Sequence, residues 1–105
     1  MEKREGQEAA EMRYEIDFGE VETAGQMHGA LRKGLKLPEY YGRNMDALWD
    51  CLTGGIETPC EICVRGMKES TGEMKALMGR VVEMMEEAAK WHGRHGREMR
   101  MRIEE

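Results

Sequence analysis

Two aspartates four residues apart, Asp46 and Asp50, lie in the stretch "LPEYYGRNMDALWDCLTGG" (37–55) together with Tyr40, Tyr41 and Trp49. Spacing of four puts both carboxylates on one side of a helix. Like charges so placed destabilise it by about 0.2–0.5 kcal/mol. Paired carboxylates can serve as acid and base across a glycosidic bond, but neighbours on a convex helix enclose no cleft. Recognition is the other chemistry open to them. Fixed acids beside aromatic rings make a surface that meets a cationic cleft, and Trp is enriched at the centres of interfaces. A plain solvated acidic face is the simpler account, yet Trp49 is costly to leave half exposed among charges.

A second constellation is "CEIC" (Cys60, Cys63) with "HGRH" (His92, His95), which has the residue types of a two-Cys, two-His zinc site. The spacings do not fit. The pairs lie too far apart and the histidines too close together for the usual fingers. On a strand, an odd separation also sends Cys60 and Cys63 to opposite faces. A redox CxxC needs a helix N-terminus to stabilise its thiolate, and this one reads as strand. No metal or cofactor is therefore expected. His28 lies within a helical pattern and reads as a structural, partly buried residue. Arg100 and Arg102 read as a solvated strand face. The sequence holds no Ser/His/Asp grouping, phosphate-cradling glycine loop or nucleophile elbow.

With 105 residues the chain has room for one core. Its hydrophobic fraction of 40% fits the soluble globular class, and no apolar run approaches the length of a membrane span. The charged start, "MEKREGQEAAEMRYEIDF", lacks the apolar block of a signal peptide, so a cytoplasmic location and no membrane partner are expected. Three cysteines without disulfide-framework spacing suit a reducing compartment. A net charge of −5 disfavours direct contact with nucleic acid and favours a basic partner. The eleven methionines read mainly as adaptable core filler.

The elements that must position these residues are legible in turn. Residues 1–12 read as a charged N-terminal arm, and 13–105 as a single domain. "RYEIDF" alternates Tyr14, Ile16 and Phe18 with charges, the period of a strand. Helical spacing runs from Ala24 to Leu35, weakened by Gly25, Gly29 and Gly34. A second helix is expected from Met45 to Thr53, capped by Asn44 and stopped by Gly54 and Gly55. Met45, Leu48 and Leu52 face its core side; Asp46, Asp50 and Thr53 lie opposite, with Trp49 at the border. "CEICVRG" reads as a strand with Cys60, Ile62 and Val64 on one face, and "MKEST" as a single helical turn. A long helix from Glu73 to Trp91 presents Leu77, Val81, Met84, Met85 and Ala88, with "HGRHG" breaking it. "EMRMRI" is the last strand. Strands alternating with helices predict an α/β domain with a small, mainly parallel sheet.

At "LPEYYGRNMDALWDCLTG" the chain resembles the barstar family, intracellular protein inhibitors of secreted barnase-type, guanyl-preferring ribonucleases. "QMHGALRKGLKLPEYYG" resembles the family's first helix and its exit, and "VVEMMEEAAK" its last long helix. The resemblance implies a fold of three parallel strands packed with helices. It also implies a non-enzymatic mechanism in which the second helix and the preceding loop plug a ribonuclease active site. Carried over by position, Asp50 enters the phosphate-binding centre and accepts hydrogen bonds from its arginines and catalytic histidine. Asp46 pairs with a guanine-loop arginine, Glu87 supports it from the last long helix, and Tyr40 covers the catalytic histidine. Asn44, Trp49 and Gly54 make the surrounding contacts. The implied partner is a basic, barnase-like secreted ribonuclease bound one-to-one by a monomer.

Two positions depart from the family pattern. Gly55 stands where an aromatic contact residue is found, which thins one side of the interface. Arg43 replaces an acid in the loop and puts a positive charge beside the binding face. Both point to an altered partner: a barnase relative with a different guanine loop, or another basic toxin for which the chain is the immunity protein. A small metal- or thiol-dependent module is the alternative from a different class.

Overall fold

The computed structural model describes residues 11–104. The chain runs β1 (Met12–Asp17), α1 (Ala24–Leu35), α2 (Met45–Gly54), β2 (Cys60–Arg65), a 3-10 turn at Met67–Glu69, α3 (Gly72–Arg94) and β3 (Met99–Glu104). The three strands form one sheet in the order β1-β2-β3, with both pairs parallel. Parallel neighbours need crossover connections, which the helices supply. This is the α/β architecture expected from the alternation of strand and helix patterns. The first ten residues of the expected charged arm lie outside the described residues, and Met12 already belongs to β1.

Strand register sorts the side chains into two unlike faces. Tyr14 and Ile16 align with Ile62 and Val64, and Cys60 with Met99; all are buried under the helices. Met27, Leu31 and Leu35 of α1, Leu48 and Leu52 of α2, and Met78, Val81, Met85 and Ala88 of α3 complete this core. The opposite face carries rows of charge: Arg13–Glu61–Arg100, Glu15–Cys63–Arg102 and Asp17–Arg65–Glu104. Parallel sheets normally bury both faces. Here ion pairs cover the second one, among them Arg13–Glu61 at 3.3 Å, Arg65–Glu15 at 3.1 Å and Arg102–Glu104 at 2.7 Å. Such exposed pairs add little stability each; their use is to keep the face polar. Cys60 and Cys63 do point to opposite faces, and Cys63 is nevertheless buried.

The long helix differs from expectation at its end and on its face. It continues past Trp91 to Arg94 and stops where Gly96 takes a left-handed φ of 76°. Gly93 is tolerated inside it at a cost of about 1 kcal/mol relative to alanine, because His92 is buried and anchors the last turn. Met78 and His92 join the buried stripe, whereas Leu77 and Met84 are only half buried. Val81, Met85 and Ala88 are buried as expected, so the core stripe keeps its centre and differs only in passing through Met78 rather than Leu77 and extending to His92.

A buried polar pair ties the first helix to the segment entering α2. His28 Nδ1 lies 2.8 Å from the Tyr41 hydroxyl, and both residues are buried. Burial, with the Arg43 charge second, pulls the His28 pKa below its usual value, and burial pushes Tyr41 up to about 12. The pair is thus held neutral, with His28 in the structural role its sequence context suggested.

Two consequences can be measured. A Cβ at Gly34 would stand 2.5 Å from the Glu15 carbonyl oxygen and 2.8 Å from Ile16 Cγ1, so α1 lies on β1 at a distance only glycine permits. Gly34→Ala should lower stability in urea unfolding by about 1–3 kcal/mol, although alanine is the better helix former. His28 is neutral when folded and titrates near 6.5 when unfolded, so the unfolded chain takes up the extra proton. Stability should fall as pH drops below about 6.5 and stop falling once the folded imidazole also protonates. His28→Gln should remove that component of the pH profile.

Candidate functional site

The segment from Leu37 to Gly55 builds one surface from a loop and a short helix. Lys36, in the left-handed conformation at φ 57°, turns the chain out of α1; its neighbour Leu37 is buried, with Leu37 N–H donating to the Arg32 carbonyl. Tyr41 is the buried peg of the loop, through His28. Tyr40, its neighbour, points the other way and is 88% exposed. A tyrosine so exposed contributes no burial to the core.

In the sequence, Gly42 before the helix reads as the residue that lets the turn adopt a backbone conformation other residues resist. The left-handed residue is instead Arg43, with φ 56°, and Gly42 is needed for space: a Cβ there would meet Ala47 Cβ at 3.2 Å. An arginine held in a region that disfavours side chains stands exposed at the mouth of α2.

Helix α2 begins at Asn44, whose side-chain oxygen accepts from Ala47 N–H at 2.8 Å while its Nδ2 donates to the Gly42 carbonyl at 3.2 Å. Such a cap is worth about 1 kcal/mol. Leu48 and Leu52 are fully buried, and Met45, Ala47 and Cys51 flank them half buried. That leaves Asp46 and Asp50 exposed on the opposite side, with Trp49 half buried at the border. Asp46, in the first turn, is favoured by the positive end of the helix, whereas Asp50 is not. Thr53 donates its hydroxyl to the Trp49 carbonyl at 2.8 Å, and Gly54 and Gly55 are exposed. The Cys51 thiol is pushed up by burial and then by Asp50, so it stays protonated and inert.

Helix α2 packs against α3, which carries Glu87 exposed and paired with Lys90 at 3.6 Å. Tyr40, Asn44, Asp46, Trp49, Asp50 and Gly54 thus belong to one loop–helix unit, and Glu87 comes from the adjoining helix. The cysteine and histidine motifs stay apart from it as a set. Cys60 lies in the core and Cys63 on the charged sheet face, while His92 is bonded to the Leu52 carbonyl and Arg97. Among the described residues no group of three or more His, Cys, Asp or Glu is placed to hold a metal ion. The sequence reading missed His92, whose signal was its place four residues after Ala88 on the buried stripe.

No helix of the described residues is long and apolar enough to cross a membrane. A family model described as Barstar (barnase inhibitor) matches residues 12–104. The Bacillus subtilis (strain 168) protein named "Putative ribonuclease inhibitor YrdF" is 37% identical over 73 residues, which cover 70% of this chain and 80% of that protein. A match extending from the first residue of β1 to the last of β3 makes this chain a member of the barstar family, a family of inhibitors rather than enzymes.

Proposed function

We propose that the protein inhibits a secreted, barnase-type ribonuclease by seating the loop before α2, and α2 itself, in the enzyme's active site. The observation that carries this reading is Tyr40, 88% exposed next to a helix whose other face is fully committed to the core and whose free face is acidic. A ribonuclease concentrates positive charge to hold phosphate, so carboxylates on a rigid element can occupy the same field. Asp50 takes the phosphate-binding centre and Asp46 a guanine-loop arginine, with Glu87 in support. Tyr40 covers the catalytic histidine, and Asn44, Trp49 and Gly54 close the rim. The mode is one-to-one, with the inhibitor acting as a monomer in the cytoplasm of the cell that makes the enzyme.

A second reading keeps the surface and changes the partner. Arg43, exposed in a left-handed conformation beside the acids, and Gly55, with no side chain at the end of α2, favour a relative with a different guanine loop or another basic toxin. In that case the protein is the immunity factor for that toxin.

RNA cleavage by a barnase-type ribonuclease, titrated with this protein, tests the assignment. Asp50→Ala should weaken inhibition far more than Glu57→Ala, which removes an exposed acid outside the plug. Charge-pair energies of this kind were established in part on complexes of this very family, so the ranking is what is predicted. Equal losses from the two variants would remove α2 from the contact. Stopped-flow association should also slow steeply as salt rises from about 0.05 to about 0.5 M, with dissociation changing less. An association rate indifferent to salt would contradict electrostatic docking.

A further inference from the structure

Helix α2 is a weak helix asked to hold charges still. It has ten residues, a length at which isolated helices are marginal. Its two exposed acids repel each other, and Thr53 bonds back to the Trp49 carbonyl, which tends to bend a helix. Asp50 lies in its C-terminal half, against the helix dipole. The carbonyls of the last turn also lack partners within the helix. Gly55 N–H serves Cys51 at 2.9 Å. The next carbonyl, that of Leu52, is served from forty residues away: it accepts from His92 Nε2 at 2.7 Å, with His92 buried.

The other side of the imidazole settles its state. Arg97 donates its Nε–H to His92 Nδ1 at 3.0 Å, so Nδ1 is the acceptor and the proton sits on Nε2. Arg97 is itself held, by its backbone N–H on the His92 carbonyl at 2.9 Å and by its guanidinium lying 5.1 Å from the Trp91 ring centre. Among the described residues, the His92–Leu52 bond is the one side-chain hydrogen bond joining α2 to α3. α3 carries Glu87 and α2 carries Asp46 and Asp50. The bond therefore sets the two acidic elements of the surface against each other.

We infer that His92 is a positioning residue for inhibition: as a neutral Nε2–H donor to Leu52 it fixes the C-terminal half of α2, and with it Asp50, relative to Glu87. This rests on the ribonuclease-inhibitor reading. A residue that fixes a binding surface is linked to the ligand in both directions, and that separates positioning from mere stability.

The test uses a barnase-type ribonuclease with wild-type protein, His92→Gln and His92→Asn. The glutamine amide reaches the place of Nε2 and can donate to Leu52; the asparagine amide ends near Nδ1 and cannot. At a temperature where circular dichroism shows all three folded, His92→Asn should bind about tenfold more weakly, mainly by faster dissociation. His92→Gln should stay within about threefold of wild type. A folded His92→Asn that inhibits as well as wild type, or a glutamine variant as weak as the asparagine one, overturns the inference. A measurement on the wild-type protein covers a variant that fails to fold. Solvent exchange of the His92 Nε2 proton should slow when the ribonuclease binds, and an unchanged rate overturns the inference equally. Should the wild-type protein itself leave the enzyme uninhibited, it is the functional reading that fails.

Discussion

Burial of Leu48 and Leu52 is the constraint on which the acidic surface depends. A ten-residue helix bearing two repelling aspartates does not hold its shape alone. It does so here because one side is sunk into the core shared with α3, and the Asn44 cap and the His92 bond hold its two ends. Much of the stability of the surface is therefore supplied from behind, by the buried Leu48, Leu52 and His92. That arrangement leaves Tyr40, Asp46 and Asp50 free of structural duty. It also explains why the loop before α2 is pegged by a neutral His28–Tyr41 pair while its neighbour Tyr40 is left in solvent.

The same division recurs in the sheet. One face of the three parallel strands takes the whole helical layer, and the other survives in water because its rows alternate in charge. Exposed pairs such as Arg65–Glu15 contribute little to stability, yet they spare the fold a second layer of helices. A chain of 105 residues can in this way build a parallel sheet with a single core.

Much of this was legible in the chain because it rests on periodicity. The alternation of Tyr14, Ile16 and Phe18, the spacing of Met45, Leu48 and Leu52, and the cap at Asn44 are local signals, and the structure follows them. The side of α2 that faces solvent was equally readable, since core and acid residues separate cleanly on one wheel. What the sequence concealed is tertiary. Leu77 and Met78 are adjacent and both apolar, so only packing decides which is buried. "HGRHG" looks like a helix breaker until His92 finds the Leu52 carbonyl, forty residues back in the chain. Gly42 and Arg43 invite the glycine as the left-handed residue; the space beside Ala47 assigns the roles the other way round. The assignment of individual side chains to a ribonuclease comes from family resemblance, which composition and spacing do not supply.

The proposed mode of inhibition puts the loop and α2 in the active site of a ribonuclease, rather than on some other part of its surface. Competition tests it most directly. Binding of this protein to a barnase-type ribonuclease would be measured by calorimetry with and without a guanosine monophosphate saturating the enzyme's active site. The nucleotide should lower the apparent affinity in proportion to its own occupancy, since one site cannot hold both. Unchanged affinity, with the nucleotide demonstrably bound, would place the contact elsewhere and rule that mode out.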